Sequence, residues 1–476
     1  IYRKDNMNRR EAIKKTAGAI ALASVAPSLI PNIFISNSSP KKEFNVLKFG
    51  ARGDGKTLDT LAIQEAINKA SAYGKQSRVI IPEGYKFLIG TLELKSSIEF
   101  FIDQGAELLI STEQSHYKNS AVIYADGADE ITISGYGNIE GRALEFMSHY
   151  EEENEWWIPK NWRPKMFILK SCKNLYLQNF SFSNAPEWGL HMLGCENVVV
   201  DGIKIRNYLN VPNCDGIDPD HCRNVEIKNC DIVCGDDAIV IKATRQDKDY
   251  GPSSKIHVHD CILETQDSGL KIGTETTSDI NNIIFENCKI KSSCRGLNIQ
   301  LRDNGTVSNI IFKNIEFVTR YHSNPWWGRG EAISFTAIPR NSDTNLGKIS
   351  NIIVKDVKGK SENSIRINGT KESIIENVLL ENVNVEIGRW TQYQGGLFDN
   401  RPTNVYEPIE YCDNPGISIK YANDVRIINS SIKWIDNLPE YFSNAIKVEK
   451  SSNIRIKDFD GKAAHPKYED IIFIKE

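Results

Sequence analysis

One short phrase recurs along this chain and excludes most folds. A polar residue is followed by three strand-forming residues, one variable residue, and then usually Asn or Asp. It reads Asn174-Leu-Tyr-Leu-Gln-Asn179, Asn197-Val-Val-Val-Asp-Gly202, Asn224-Val-Glu-Ile-Lys-Asn229, Lys255-Ile-His-Val-His-Asp260, Asn282-Ile-Ile-Phe-Glu-Asn287 and Asn309-Ile-Ile-Phe-Lys-Asn314. The starts at 174, 197, 224, 255, 282 and 309 are 23, 27, 31, 27 and 27 residues apart. Further copies begin at Asn351, Asn377, Asp424 and Asn453. A step of roughly 20–30 residues carrying short β segments is the period of a parallel β-helix coil. The two long steps, ending at Asn351 and Asp424, are coils with inserted loops. Alternating β-branched residues turn one face inward, and successive coils stack at about 4.8 Å. The expected fold is all-β: a right-handed parallel β-helix of about ten coils over residues 44–476.

The same register explains residues that look functional in isolation. Asn179, Asn229, Asp260, Asn287, Asn314, Asp356 and Asn382 hold one place in their coils. They read as a turn ladder, each amide bonding the next coil's backbone. Cys230, Cys261 and Cys288 share the place just after it and read as apolar fillers of an interior column. The stretch from Asp59-Thr60 to Ala70 has apolar residues at helical spacing after a capping Asp or Thr. A helix there covers the open edge of the first coil.

The first residues read as an address. Arg9-Arg10 precedes Lys14 and Lys15, then an Ala-rich apolar run over 17–31 with a small-x-small site at Ser24-Val25-Ala26. Residues 1–31 resemble a bacterial twin-arginine export signal, and 32–43 a polar linker. The expected location is periplasmic or secreted. The run is too short to span a bilayer, so no stable membrane insertion is expected. A net charge of −4 gives no reason to expect nucleic acid as a partner. Export would permit disulfides among the ten cysteines, but the interior column argues otherwise for several.

Four coils align on a small-residue turn: Asp215-Gly216-Ile217, Asp237-Ala238-Ile239, Ser268-Gly269-Leu270 and Arg295-Gly296-Leu297. Asp237, Ser268 and Arg295 all lie 13 residues after their coil starts. The alignment stacks Asp215, Asp237, Ser268 and Arg295 in one surface column, with Asp236 across the pleat or in a turn beside it. Carboxylates so crowded cannot all ionise at ordinary pKa. Glycoside hydrolysis uses such a split, one protonated acid and one ionised base. A calcium site and solvated turn aspartates are the other readings.

These residues resemble a known family. Asn213-Cys-Asp215-Gly-Ile-Asp218 is similar to the Asn-Thr-Asp motif of glycoside hydrolase family 28, the polygalacturonases, and Gly235-Asp236-Asp237 to its Asp-Asp motif. Phe49-Gly-Ala-Arg-Gly-Asp-Gly55 resembles the opening shared by that family and its β-helix relatives. Asn184-Ala-Pro-Glu-Trp188-Gly-Leu-His191 resembles a segment near the cleft. The likeness implies inverting hydrolysis of α-linked galacturonic acid in pectic polysaccharide, without a metal or other cofactor. Asp236 matches the general acid, and Asp215 and Asp237 the pair that activates water. Two departures stand out. The family's Gly-His-Gly is Asp267-Ser268-Gly269 here, and its Arg-Ile-Lys is Asn298-Ile-Gln300. Neutral side chains cannot make a charge-assisted pair with a uronate. Rhamnogalacturonan-active members also depart there. Weak action on plain homogalacturonan is therefore expected, with Asn298→Arg and Gln300→Lys restoring it if loops leave room.

The candidate substrate-binding residues are Asn213, His191, Lys242, Ser268, Lys271, Arg295, Asn298, Gln300, Arg302, Trp326 and Trp327. The last two, beside Tyr321, and Trp156-Trp157 with Trp162 form aromatic clusters on loop-like segments that suit sugar stacking. A polysaccharide lyase and a non-catalytic carbohydrate-binding β-helix remain as alternatives.

Overall fold

The computed structural model describes residues 42–74, 77–435 and 438–474. The expected export signal and residues 32–41 of the expected linker lie outside these residues. The first strand, Lys42–Asn45, begins two residues before the expected boundary.

Thirteen parallel strands form one continuous sheet, from Leu92–Glu93 to Ile471–Ile474, each a coil beyond the last. A second array of parallel strands wraps the rest of each coil. The chain is a right-handed parallel β-helix, the hand that parallel crossovers take. The recurring phrases are strands in exact neighbour register: Leu175, Val198, Val225, Ile256, Ile283 and Ile310 follow one another across the sheet. Strands Ser77–Ile81, Ile98–Ile102 and Asp129–Gly135 extend this row towards the N-terminus without the phrase. Each stacked aliphatic is buried and contributes about 1.5–3 kcal/mol of apolar transfer.

Asn and Asp recur because the backbone turns there through a left-handed residue. Asn179, Asn229, Asp260, Asn287, Asn314, Asp356 and Asn382 all have φ between 51° and 63°, a region these side chains tolerate best after Gly. In the coil where Gly202 takes the place, φ is 68°. The expected bond to the next coil's backbone is corrected by the structure. Asn314 Nδ2 donates to Asn287 Oδ1 at 2.7 Å, and Asn382 Nδ2 to Asp356 Oδ1 at 2.6 Å. Residues held in one conformation a coil apart lie parallel, so the amide of one meets the oxygen of the other. The first residue of the phrase builds a second such row, Asn197 to Asn174, Asn224 to Asn197 and Asn377 to Asn351.

Cys230, Cys261 and Cys288 do fill an interior column. Each thiol is buried and lies 3.2 Å from the carbonyl two residues earlier. All ten cysteines are free thiols. The cap is the helix Thr60–Tyr73, which buries Ile63, Ala66, Ile67 and Ala70. Asp59 stands at its N-cap position and its carbonyl accepts from Ile63 N at 3.0 Å, but its side chain does not cap the helix. Its carboxylate accepts from Arg52 N at 2.7 Å and Gly53 N at 2.9 Å, bracing the preceding turn. Gln64 completes the first strand of the thirteen: it donates to Glu93 O and accepts from Glu93 N. That satisfies the edge a second chain would otherwise pair with. No helix among the described residues is long and apolar enough to cross a membrane.

The ladder yields a test. Asn314→Ala removes a side-chain bond and puts an alanine in a left-handed conformation. It should lower the unfolding free energy by about 2 kcal/mol, seen as a lower urea midpoint. Asn314→Gly, free to adopt that conformation, should lose about half as much.

Candidate active site

The thirteen-stranded sheet lines a cleft of about 230 Å³. Hydrogen bonds between coil turns define its register. Gly189 N donates to Asp215 O, Gly216 N to Asp237 O, and Ala238 N to Ser268 O, while Ser268 pairs directly with Arg295. Asp215, Asp237, Ser268 and Arg295 thus share one column. Gly216 permits the approach: a Cβ there would lie 2.3 Å from Ala238 O. Asp236 sits in the turn before Asp237 and faces the same cleft. Each of the three carboxylates offers an oxygen within 4.8 Å of the others.

Their surroundings differ. Lys242 Nζ lies 3.6 Å from Asp215, 3.7 Å from Asp218 and 3.4 Å from Glu275. Lys271 Nζ lies 2.7 Å from Asp237 and 3.4 Å from Asp267. Asp236 has no ion pair within 4 Å among the described residues. It accepts from Asn213 N at 3.1 Å and Asp237 N at 2.9 Å, which fix its orientation. Burial pushes the pKa of all three acids well up, with Asp218 adding to the rise at Asp215, Asp215 at Asp236, and Asp267 at Asp237. The lysines oppose that rise by direct contact only at Asp215 and Asp237. A divalent cation could span the three oxygens, but two ammonium groups already lie against the same carboxylates and would repel it.

Of the expected binding residues, Asn213, Lys242, Lys271, Arg295, Gln300 and Trp327 line the cleft. Five do not. Ser268 is fully buried, its hydroxyl donating to Asp267 Oδ1 and accepting from Asn298 Nδ2, so Asp267 faces the cleft instead. Asn298 is fully buried, its amide donating to Ser268 Oγ and Gln300 Oε1, and Gln300 Nε2 donates to Arg401 O. The Asn298→Arg exchange would put a longer, charged side chain into a site with no exposed surface. Arg302 is also sealed: its guanidinium bonds Leu301 O, Thr336 Oγ1 and Asn400 O. Trp326 is fully buried against Trp156 and His322, packed as core and not as a sugar platform. Tyr321 is likewise buried, whereas Trp156 and Trp157 pair with the hairpin strand Met147–Glu151 and Trp162 packs on Tyr117. His191 is buried behind Trp188, edge-on at 4.9 Å, with Nε2 3.1 Å from Asp220 Oδ2. Burial lowers its pKa, so it stays neutral and braces Trp188.

The cleft also holds residues that were not singled out: Trp188, Asp267, Glu275, Arg340 and Arg401, with Asp218 behind Lys242. Asp218 lies in the quoted Asn213–Asp218 motif, so its presence was readable. Arg340 and Arg401 come from inserted loops and carry no register signal. Arg340 pairs with Asp303 at 2.9 Å and Glu275 at 3.3 Å, and Arg401 with Asp399 at 2.6 Å.

The chain resembles proteins of known kind. It is 29% identical over 226 residues to a probable polygalacturonase of Vitis vinifera, covering 42% of this chain and 44% of that one. It is 29% identical over 210 residues to polygalacturonase-2 of Solanum lycopersicum, covering 43% and 45%. The matches thus span about half the length of these relatives. Among solved structures, the fold matches a family 28 exopolygalacturonase of Yersinia enterocolitica with a TM-score of 0.63, at 20% identity, over 89% of this chain and 79% of that one. It matches a hyperthermoactive exopolygalacturonase of Thermotoga maritima with a TM-score of 0.58, at 22% identity, over 76% and 94%. The description "Glycosyl hydrolases family 28" matches residues 72–395, more than half of the sequence and all of the cleft's coil strands. On that match, with both aspartate motifs meeting in one cleft, the chain belongs to glycosyl hydrolases family 28.

Proposed function

We propose that this cleft hydrolyses α-linked galacturonic acid in pectin-type polysaccharide, with Asp236 as general acid and Asp215 and Asp237 as the bases that hold and deprotonate water. One observation carries the reading: two of the three crowded acids have a lysine in contact and the third has none. Among three carboxylates that cannot all ionise, the proton resides where no cation is in contact, Lys271 and Lys242 acting on that acid only from beyond 4 Å. That is Asp236, which then protonates the leaving oxygen. Lys242 and Lys271 oppose the rise that burial imposes on Asp215 and Asp237, which makes these two the bases of the reading.

Family membership supports hydrolysis over elimination by a lyase, and over binding alone. Neutral Gln300, which lines the cleft, supports a substrate in which one sugar beside the cut carries no carboxylate, rhamnose being the first choice. The Arg9-Arg10 segment supports export, which cell fractionation of the tagged full chain would check.

Asp236→Asn keeps the shape and removes the proton. It should cut kcat by about 10²–10⁴-fold on rhamnogalacturonan or homogalacturonan oligosaccharides, with product measured as reducing ends lacking unsaturated-sugar absorbance. Near-normal turnover would remove Asp236 from the role. Activity should follow a bell-shaped pH curve: it falls on the acid side as the bases protonate and on the alkaline side as Asp236 ionises. The first-formed product should have inverted anomeric configuration by NMR. The three acids stand closer than the roughly 6.5–9.5 Å common in inverting enzymes, so a retained product would make Asp215 or Asp237 a nucleophile.

Asp218 gives a separate pH test. Burial raises its pKa from 3.8 to about 7, against the pull of Lys242. A raised folded-state pKa favours folding while the group is protonated, and that contribution is lost as pH rises through about 7. Asp218→Asn cannot ionise. Its melting temperature should exceed that of the parent at pH 8, and the difference should vanish near pH 4.

A further inference from the structure

Most cations around the cleft already have partners. Lys242 contacts three carboxylates and Lys271 two. Arg295 lies within 3.7 Å of Asp267, Glu331 and Asp399. Arg340 and Arg401 are paired, and Arg302 is sealed beneath a loop. The exceptions lie on the other side of the aspartates. Lys165 Nζ has no hydrogen bond or ion pair among the described residues; its contact is the Trp188 ring, 3.6 Å from the centroid. Arg163 has no carboxylate partner either. It donates to Pro186 O at 2.8 Å, Pro212 O at 2.9 Å and Asn213 Oδ1 at 3.1 Å.

Register ties this pair to the catalytic column. Met166 N donates to Trp188 O, and Gly189 N to Asp215 O. Lys165, Trp188, Asp215 and Asp237 therefore occupy one place in four successive coils. Two coil steps put Lys165 about 10 Å along the axis from Asp215. A polysaccharide lying along the cleft would pass Trp188 and reach the lysine.

We propose that Lys165, seated on Trp188 and flanked by Arg163, is a carboxylate-binding subsite that takes the uronate of a sugar on the N-terminal side of the three aspartates. An unpaired ammonium beside an aromatic ring suits an acidic sugar. The amine makes a charge-assisted bond to the carboxylate, and the ring, which also lies 4.7 Å from Lys242 Nζ, seats the amine. Arg163 positions the site further, since it holds Asn213, whose backbone N–H orients Asp236. The acidic sugar is thus recognised on the side of the aspartates opposite Gln300, whose neutral amide lines the cleft. This rests on the hydrolase reading above and names which sugar of its substrate is acidic.

The test uses the full chain with galacturonate-containing oligosaccharides and the same oligosaccharides after carboxyl reduction to neutral sugars. Lys165→Met should lower kcat/KM on the acidic form roughly 10- to 100-fold, mainly through KM, and leave the reduced form unaffected. Lys165→Arg should restore most of the loss. An equal loss on both forms would mean that Lys165 only supports Trp188, and no loss on either would also overturn the subsite. Calorimetry of trigalacturonate binding to Asp236→Asn, with and without Lys165→Met, reads the subsite without turnover. Binding that weakens with Lys165→Met while the parent cleaves no pectic substrate would sustain the subsite and sink the hydrolase reading. Absence of trigalacturonate binding would sink the subsite.

Discussion

Register between parallel coils, about 4.8 Å apart, is the constraint on which the rest of this molecule depends. It is held inside by stacked aliphatics such as Val198, Val225, Ile256 and Ile283, and outside by two rows of Asn and Asp side chains that bond coil to coil. A slip of one residue would expose every inward side chain. The same slip would separate Asp215 from Asp237, because nothing but coil spacing sets their distance. A rigid stack therefore does for the cleft what loops must do in other folds: it fixes carboxylates side by side at a separation where like charges perturb one another.

Concentrating charge this way requires compensation, and the cleft supplies it unevenly. Carboxylates and cations alternate through Asp215, Lys242 and the half-buried Glu275 and Arg340, and through the buried Asp237, Lys271, Asp267 and Arg295. Burying such ions is tolerable only because each has partners. The uneven places are informative. Among the described residues Asp236 has no cation in contact and Lys165 no anion, and the proposed acid and the proposed subsite are these two places. The sheet on which these groups stand is the same, yet their chemistry is set by which neighbours the adjacent coils contribute.

Much of this was legible in the residues themselves. The phrase at Asn174, Asn197, Asn224 and beyond reports strand, turn and coil length together, because a solenoid repeats its local needs in sequence. Asp215, Asp236 and Asp237 were legible because small-residue turns align their coils. The bond made by the Asn ladder was misread. Its partner is another side chain, and that follows from the left-handed backbone at each Asn, which the phrase alone does not display. Asp59 was placed correctly before the helix, but its carboxylate serves the Arg52-Gly53 turn.

By itself, the sequence determined the β-helix, its helical cap, the interior cysteines and the three carboxylates, since each follows from short-range pattern repeated at a coil's period. Tertiary structure alone decided which cations matter. Arg302 and Trp326 carry the right chemistry but are buried by segments from distant loops, around Asn400 and Trp156. Asn298 is fully buried as well, bonded to Ser268 and Gln300. Lys165 has no motif of its own, and stands two coils from Asp215, fifty residues later, only because hydrogen-bonded register stacks them. Loop packing and long-range register are set by contacts between segments far apart in the chain, so no local reading of residues could have supplied them.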